Sequence, residues 1–153
     1  MKRLIINADD LGADEGRNAG ILEAVRAKIV TSASLLVNGA AVEESLETIR
    51  KVDFAEVSIG IHLNLSEGNS LAKDLRLLTN RDGSFRGKNS TQRLLLQEGN
   101  EELETEISQE VDSQIGFLKK AGVSIRHLDG HQHVHVFPAV RRAVIRAAKK
   151  YEV

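Results

Sequence analysis

Four of the five histidines of this chain lie within eleven residues, in the stretch HLDGHQHVHVF that runs from His127 to Phe137. The fifth, His62, lies in GIHLNL, and two adjacent carboxylates, Asp9 and Asp10, lie near the amino terminus in NADDLG. Two imidazoles and one carboxylate are a frequent ligand set of catalytic divalent metals, because they leave positions open for water and substrate. The histidine-rich stretch therefore indicates either a metal site or a polar strand edge.

The alternation of His131, His133 and His135 has two interpretations. In an extended strand all three imidazoles would face the same way and could serve one metal site. A metal-independent hydrogen-bond cluster, or nonspecific metal binding by a His-rich tract, would explain the same pattern. Likewise, a lone His62 in an apolar strand is often a hydrogen-bonded core residue, and one Asp of a pair often caps a helix. The combination of all these groups favours a specific metal role for at least one of the three alternating histidines.

Hydrophobic periodicity predicts strands that alternate with helices, and this order predicts a parallel sheet. The predicted strands are 3–8, 32–38 and 56–65, with a fourth strand and its exit in 124–136. The predicted helices are 14–28, 40–52, 101–122 and, after Pro138, 139–151. Residues 66–97 lack this periodicity and carry the turn signals RDG and FRG, so we expect a long variable loop there.

Polar residues follow or end each predicted strand, and parallel α/β folds place their active sites at the carboxyl ends of strands. The first strand leads to the Asp pair, the second ends at Asn38, and the third carries His62 and Asn64. The fourth carries Asp129 and the three alternating histidines. We therefore expect carboxylates and imidazoles to converge at one edge of the sheet.

The composition limits the classes of function. The chain has 153 residues, 41% hydrophobic and 28% charged, which suits one globular domain. A net charge of -1, 3% aromatic residues and no Trp argue against a nucleic-acid surface or recruitment to an anionic membrane. The absence of Cys excludes thiolate nucleophiles and cysteine zinc sites. The amino-terminal apolar run is too short and polar for a signal peptide, so we expect a cytoplasmic protein.

Four motifs occur in order along the chain: INADDLG, TSASLLVNG, GIHLNLSEG and HLDGHQHVHVFP. Together they resemble the YdjC-like carbohydrate deacetylases, a family that includes chitooligosaccharide deacetylases and a hopanoid-pathway member. The resemblance implies a parallel (β/α) barrel-like fold of the α/β class. It also implies metal-dependent removal of N-acetyl groups from amino sugars or chitooligosaccharides, with a metal-activated water as the nucleophile.

The resemblance also implies roles for single residues. Asp9 matches the general base, and Asp10, His62 and His131 match the metal ligands. The metal implied is Zn²⁺ or Mg²⁺, and two imidazoles suit zinc better than magnesium, which prefers oxygen ligands. The residues expected behind the ligands or beside the substrate are Asn38, Asn64, Asp129, His133 and His135.

Family members are longer than this chain, and four βα units make half of a (β/α)8 barrel. We therefore expect one deacetylase domain, residues 1–153, that is incomplete on its carboxyl-terminal side. Such a chain would be a deacetylase, or a non-catalytic truncated member that binds metal or sugar, or a protein in which the histidines are incidental. The open sheet edge further predicts pairing with a second copy as a homodimer.

Overall fold

The computed structural model describes residues 4–50, 52–97 and 99–153, and its strands form one parallel sheet. The strands are β1 (Asn7–Leu11), β2 (Ser32–Leu35), β3 (Ser58–Leu63) and β4 (Leu128–Gly130), and they lie in the order β1-β2-β3-β4. The helices are α1 (Glu15–Arg26), α2 (Val42–Ile49), α3 (Lys88–Leu95), α4 (Glu101–Lys120) and α5 (Pro138–Tyr151). Two 3-10 helices cover Val52–Phe54 and His131–Val136. The predicted parallel α/β fold is confirmed.

Helix starts follow from local side-chain chemistry. The Asp14 carboxylate accepts the Arg17 backbone N–H at 2.8 Å and caps α1, and the Asn100 side chain caps α4 in the same way. Pro138 lies in the first turn of α5, where its missing N–H costs no helical hydrogen bond. Of the helices in the described ranges, none has the length and apolar character needed to cross a bilayer.

The two faces of the sheet differ in chemistry because side chains alternate along a strand. One face is apolar and buried in the main hydrophobic core, with members on β2 and β3: Ala33, Leu35, Ile59, Ile61 and Leu63. The opposite face is polar or small: Ser32, Ser34, Ser58, Gly60, His62, His127 and Asp129. A Cβ atom on Gly60 would overlap the His127 ring, so this glycine makes room for the imidazole. The polar face carries the candidate site.

The prediction of a buried first strand at 3–8 is wrong. β1 spans Asn7–Leu11, and the preceding Leu4, Ile5 and Ile6 are 78%, 77% and 39% exposed. Arg3 lies outside the described residues. Within the described residues β1 pairs only with β2, so it is an edge strand, and the Ile6 backbone before it bonds to Thr31 and Ser32 on the β2 side. The Asp pair consequently belongs to the strand and does not lie in a loop after it.

The prediction of an extended fourth strand through HQHVHV is also wrong. β4 ends at Gly130, and His131–Val136 forms a 3-10 segment with a kink. Gln132 and His133 have φ values of 50° and 59°, in the left-handed region. An extended chain cannot pass through two such residues, so the three histidines do not share one face.

The predicted loop 66–97 contains helix α3 and is fixed to α4 by two buried carboxylates. Glu110 accepts the backbone N–H of Leu71 at 3.1 Å and that of Ala72 at 2.7 Å. Glu106 accepts the backbone N–H groups of residues 76–78 at 2.7 to 3.1 Å. These bonds hold the segment beside the carboxyl end of β3.

Candidate metal centre

A break in the regular strand places Asp9 and Asp10. The register between β1 and β2 shifts between Ala8 and Leu11, and Asp10 has a φ of 62°. In a regular strand these neighbouring side chains would point to opposite faces. The left-handed residue cancels this alternation, and a backbone bond from the Ala13 N–H to the Asp10 carbonyl, at 3.1 Å, closes the turn. Both carboxylates therefore reach His62, Asp10 in one group with His131 and Asp9 in another with Asp129.

Asp10, His62 and His131 converge at the carboxyl ends of β1, β3 and β4. Asp10 Oδ1 lies 2.8 Å from His131 Nδ1 and 3.3 Å from His62 Nε2. One donor atom from each of the three residues lies within 4.8 Å of the other two. The side chains are largely buried, with 6% of His62, 14% of His131 and 21% of Asp10 exposed. The three residues form a candidate metal-binding triad, and two nitrogens with one oxygen are a donor set that Zn²⁺ accepts.

Asp129 lies behind His62 and orients its ring. Asp129 Oδ1 lies 2.7 Å from His62 Nδ1, and its Oδ2 accepts the Ser34 hydroxyl at 2.7 Å. Burial of this carboxyl opposes ionisation, but the hydrogen bonds from His62 and Ser34 outweigh burial and lower its pKa. A carboxylate at Nδ1 favours the tautomer with the ring proton there, which would leave Nε2 free to bind a metal ion beside Asp10.

Asp9 lies on the exposed side of the triad. Asn7 Nδ2 donates to Asp9 Oδ1 and to Ser34 Oγ, each at 2.7 Å, and so ties the carboxylate to the sheet. Donor atoms of Asp9, His62 and Asp129 also lie within 4.8 Å of one another. Asp9 is therefore accessible to solvent and lies beside His62, which belongs both to this group and to the triad. Its role as general base stays a prediction.

Asn38 and Asn64 bind the turn after β3, and the structure shows them bonded to one another. Asn64 Nδ2 donates to Asn38 Oδ1 at 3.1 Å and to the Glu67 carbonyl at 2.7 Å. The Gln114 side chain pairs with both backbone groups of Asn64, at 3.1 and 2.6 Å. The two asparagines thus shape the backbone beside the triad.

His133 and His135 lie apart from the triad. His133 is exposed, and its ring centroid lies 6.2 Å from that of His135. The His135 Nδ1 atom is buried and has no hydrogen-bond partner within the part of the chain that the structure describes. Neither histidine belongs to the metal-capable groups found among residues 4–50, 52–97 and 99–153. Their roles beside the substrate stay predictions.

Sequence reasoning missed four residues that hold the site together: Asn7, Ser34, Glu67 and Gln132. Two of them had a signal. Ser34 follows Ser32 at the alternation of a strand, which places it on the polar face. Glu67 comes directly after the third strand, where strand-end sites are built. The Gln132 contact depends on the left-handed turn, which the sequence does not reveal.

Comparison with known proteins places these features in a family. The protein-family model described as "YdjC-like protein" matches residues 3–153. A carbohydrate deacetylase of Brevibacillus brevis is 37% identical over 151 residues, which are 99% of this chain and 57% of the relative. A human carbohydrate deacetylase is 39% identical over 155 residues, covering 99% of this chain and 46% of the relative.

A solved structure shares the fold as well. It is a protein of Enterococcus faecalis V583 whose name refers to cellobiose-phosphate cleavage. It is 28% identical, with a TM-score of 0.78, over 97% of this chain and 56% of its own length. The chain thus spans about half the length of the proteins that it matches. Because the family match covers nearly all of its residues, the chain belongs to the YdjC-like protein family.

Proposed function

We propose that this chain forms the metal-binding half of a carbohydrate deacetylase, which hydrolyses N-acetyl groups on amino sugars or chitooligosaccharides. The observation that carries the proposal is the convergence of Asp10, His62 and His131, with Asp9 beside them, at the strand ends. The two relatives named carbohydrate deacetylase, at 37% and 39% identity, support the reaction class.

In this proposal Asp10, His62 and His131 hold one divalent metal, Zn²⁺ or Mg²⁺. The two imidazole nitrogens favour Zn²⁺, because Mg²⁺ prefers shells of oxygen ligands. When bound, such an ion supplies Lewis-acid polarisation of a carbonyl and acidifies water at neutral pH. The protein contributes the fixed orientation of the ligands, above all through the bond from His62 to Asp129.

The remaining residues would manage the protons of the reaction. Amide hydrolysis adds water across the C–N bond and gives acetate and a free amine, so one group must accept a proton and one must donate it. Asp9 is exposed beside His62, is held by Asn7, and would accept the proton of the attacking water. The group that donates a proton to the leaving amine would, in this proposal, lie in the part of the relatives' sequence that this chain does not span.

A second candidate function is binding of metal or sugar without turnover. The specific observation in its favour is that the chain covers only 57% and 46% of the two curated relatives described above. A chain with the triad but without the remaining catalytic groups would take up metal and release no acetate.

The test is acetate release from N,N′-diacetylchitobiose with added Zn²⁺ or Mg²⁺, measured together with metal uptake by calorimetry. We expect His131→Ala to lose both, because it removes a ligand of the triad. Asp9→Asn should keep metal uptake and lose about 10²–10⁴-fold in rate, the usual contribution of a general base. Glu47→Ala, which changes an exposed residue of α2 outside the site, is the control. Full activity in both site variants would show that the residues are wrongly assigned, and metal uptake without acetate release would favour the binding function.

A further inference from the structure

The chain turns sharply directly after the candidate ligand His131. Gln132 (φ 50°, ψ 28°) and His133 (φ 59°, ψ 29°) both adopt the left-handed conformation, and neither is Gly, Asn or Asp. Two such residues in a row are sterically costly, so contacts elsewhere must hold them. The turn directs the Gln132 side chain to the loop that follows β3, as the following contacts show.

The Gln132 side chain joins two residues of that loop. Its Oε1 atom accepts the Ser66 hydroxyl at 3.1 Å, and its Nε2 group donates to Glu67 Oε1. The other Glu67 oxygen, Oε2, lies 3.4 Å from His131 Nε2. Glu67 is therefore held from one side by Gln132 and contacts the candidate ligand on the other.

The backbone beneath Glu67 is equally fixed. Asn64 Oδ1 accepts the N–H groups of Ser66 at 2.9 Å and of Glu67 at 3.2 Å. The Glu67 carbonyl accepts Asn64 Nδ2 at 2.7 Å and Asn38 Nδ2 at 3.3 Å. Although 56% of the Glu67 side chain is exposed, its backbone and its carboxylate are both bonded, unlike those of a freely solvated glutamate.

Both imidazoles of the triad have the same arrangement of neighbours. Each directs one nitrogen at Asp10 Oδ1, His62 through Nε2 at 3.3 Å and His131 through Nδ1 at 2.8 Å. The second nitrogen of each faces another carboxylate, Asp129 behind His62 and Glu67 behind His131. A carboxylate behind a metal-binding histidine fixes the tautomer and the ring orientation.

We propose that Glu67, held by Gln132, is the positioning residue for His131. When a metal is bound, Glu67 holds the ring proton of His131 on Nε2, so that Nδ1 is free to bind the ion beside Asp10 and His62. This inference rests on the proposed metal site. It assigns to Glu67 and Gln132 an effect on metal affinity, although neither belongs to the triad.

The test measures Zn²⁺ affinity by calorimetry, independently of deacetylation. Glu67→Ala should lower the affinity about 10–100-fold, as removal of such a supporting carboxylate typically does. Glu67→Gln, which keeps an acceptor but no charge, should restore part of the loss. Glu47→Ala, on the exposed side of α2, is the matched control. If Glu67→Ala binds Zn²⁺ within twofold of Glu47→Ala, the proposal is wrong.

A second pair of variants separates the contact of Gln132 from its backbone conformation. Gln132→Asn retains a residue that tolerates the left-handed region but shortens the side chain, and Gln132→Gly relieves the backbone and removes the side chain. We expect both to lower Zn²⁺ affinity, because both lose the bond to Glu67. Wild-type affinity in the Asn variant would contradict the role of the tether.

Nuclear magnetic resonance gives a readout beyond affinity. In the Zn²⁺-loaded wild type, two-bond ¹H–¹⁵N couplings should place the His131 ring proton on Nε2, and Glu67→Ala should weaken that preference. A His131 proton on Nδ1 in the loaded wild type would overturn the assignment of Glu67. A wild type that takes up no Zn²⁺ would instead contradict the proposed metal site, and with it this role of Glu67.

Discussion

At the scale of residues, the four histidines that lie close together in the sequence do not all reach the candidate metal site. His131 joins the triad with Asp10 and the distant His62, whereas His133 is exposed. His127 lies on the polar face of the sheet near the amino ends of β2 and β3, with its ring nitrogens 3.5 Å from Ser32 Oγ and Ser58 Oγ. Neighbouring histidines therefore serve different purposes, and the backbone path decides which one reaches the site.

Gly60 offers a test of how closely the polar face is packed. A Cβ atom there would overlap the His127 ring, so Gly60→Ala should destabilise the fold by about 1–3 kcal/mol, the usual cost of overpacking. Gly116→Ala is the control, because it lies within α4 and its Cβ would meet no atom within 4 Å. The control should gain up to about 1 kcal/mol from helix propensity. Urea denaturation measures both, and equal stability of the two variants would refute the packing argument.

At the scale of elements, α4 fixes the segment that follows β3. Its Gln114 side chain bonds to Asn64 at the end of β3 and to Glu110 at 2.7 Å, while Glu110 and Glu106 bond to the backbone of residues 71–78. Buried carboxylates are costly unless such donors satisfy them. The same helix therefore anchors the strand end beside the triad and the loop next to it.

Glu106→Gln should loosen this loop. Among the described residues, the carboxylate accepts backbone N–H groups alone, from residues 76–78, and the amide nitrogen of Gln would face one of these donors. We expect a loss of about 1–3 kcal/mol in the free energy of unfolding, the cost of leaving a buried polar group unpaired. Hydrogen exchange at residues 76–78 should accelerate in parallel. Glu102→Gln, on the exposed side of α4, should change neither quantity, and protection unchanged in Glu106→Gln would argue against the anchor.

At the scale of the whole molecule, the four strands of the described residues form a sheet that does not close on itself. Within the described residues β1 and β4 are the outermost strands, and Leu4, Ile5 and Ile6 are exposed beside the start of β1. Exposed apolar residues next to an unpaired strand edge favour association with another strand or surface. We propose that the chain pairs with a second copy through the β1 edge.

Light scattering at increasing concentration tests this association. We expect a mass that rises towards that of a dimer, and Ile5→Glu should shift the equilibrium back to the monomer because it charges the apolar edge. Leu96→Glu, which charges another residue that is 69% exposed, should leave the mass of the wild type unchanged. A monomeric wild type at high concentration would rule the proposal out.

The sequence by itself determined the order of the elements. The four predicted helices appear as α1, α2, α4 and α5 within a few residues of their predicted bounds, and the second and third strands lie inside theirs. Amphipathic periodicity and capping residues are local signals, so they can be seen along the chain. The four motifs also singled out Asp10, His62 and His131, which the structure brings together.

Only the tertiary structure decided the backbone conformation at the two ends of the site, at Asp10 and after His131. The positive φ of Asp10, which lets both Asp side chains reach His62, and the left-handed turn at Gln132 occur at residues other than glycine. Local preference disfavours this conformation at Gln132 and only tolerates it at Asp10, and long-range contacts hold both: Asp10 with the distant His131, and Gln132 with Glu67 across the strand ends. A sequence pattern reports local preference, and it cannot reveal a conformation that exists against that preference.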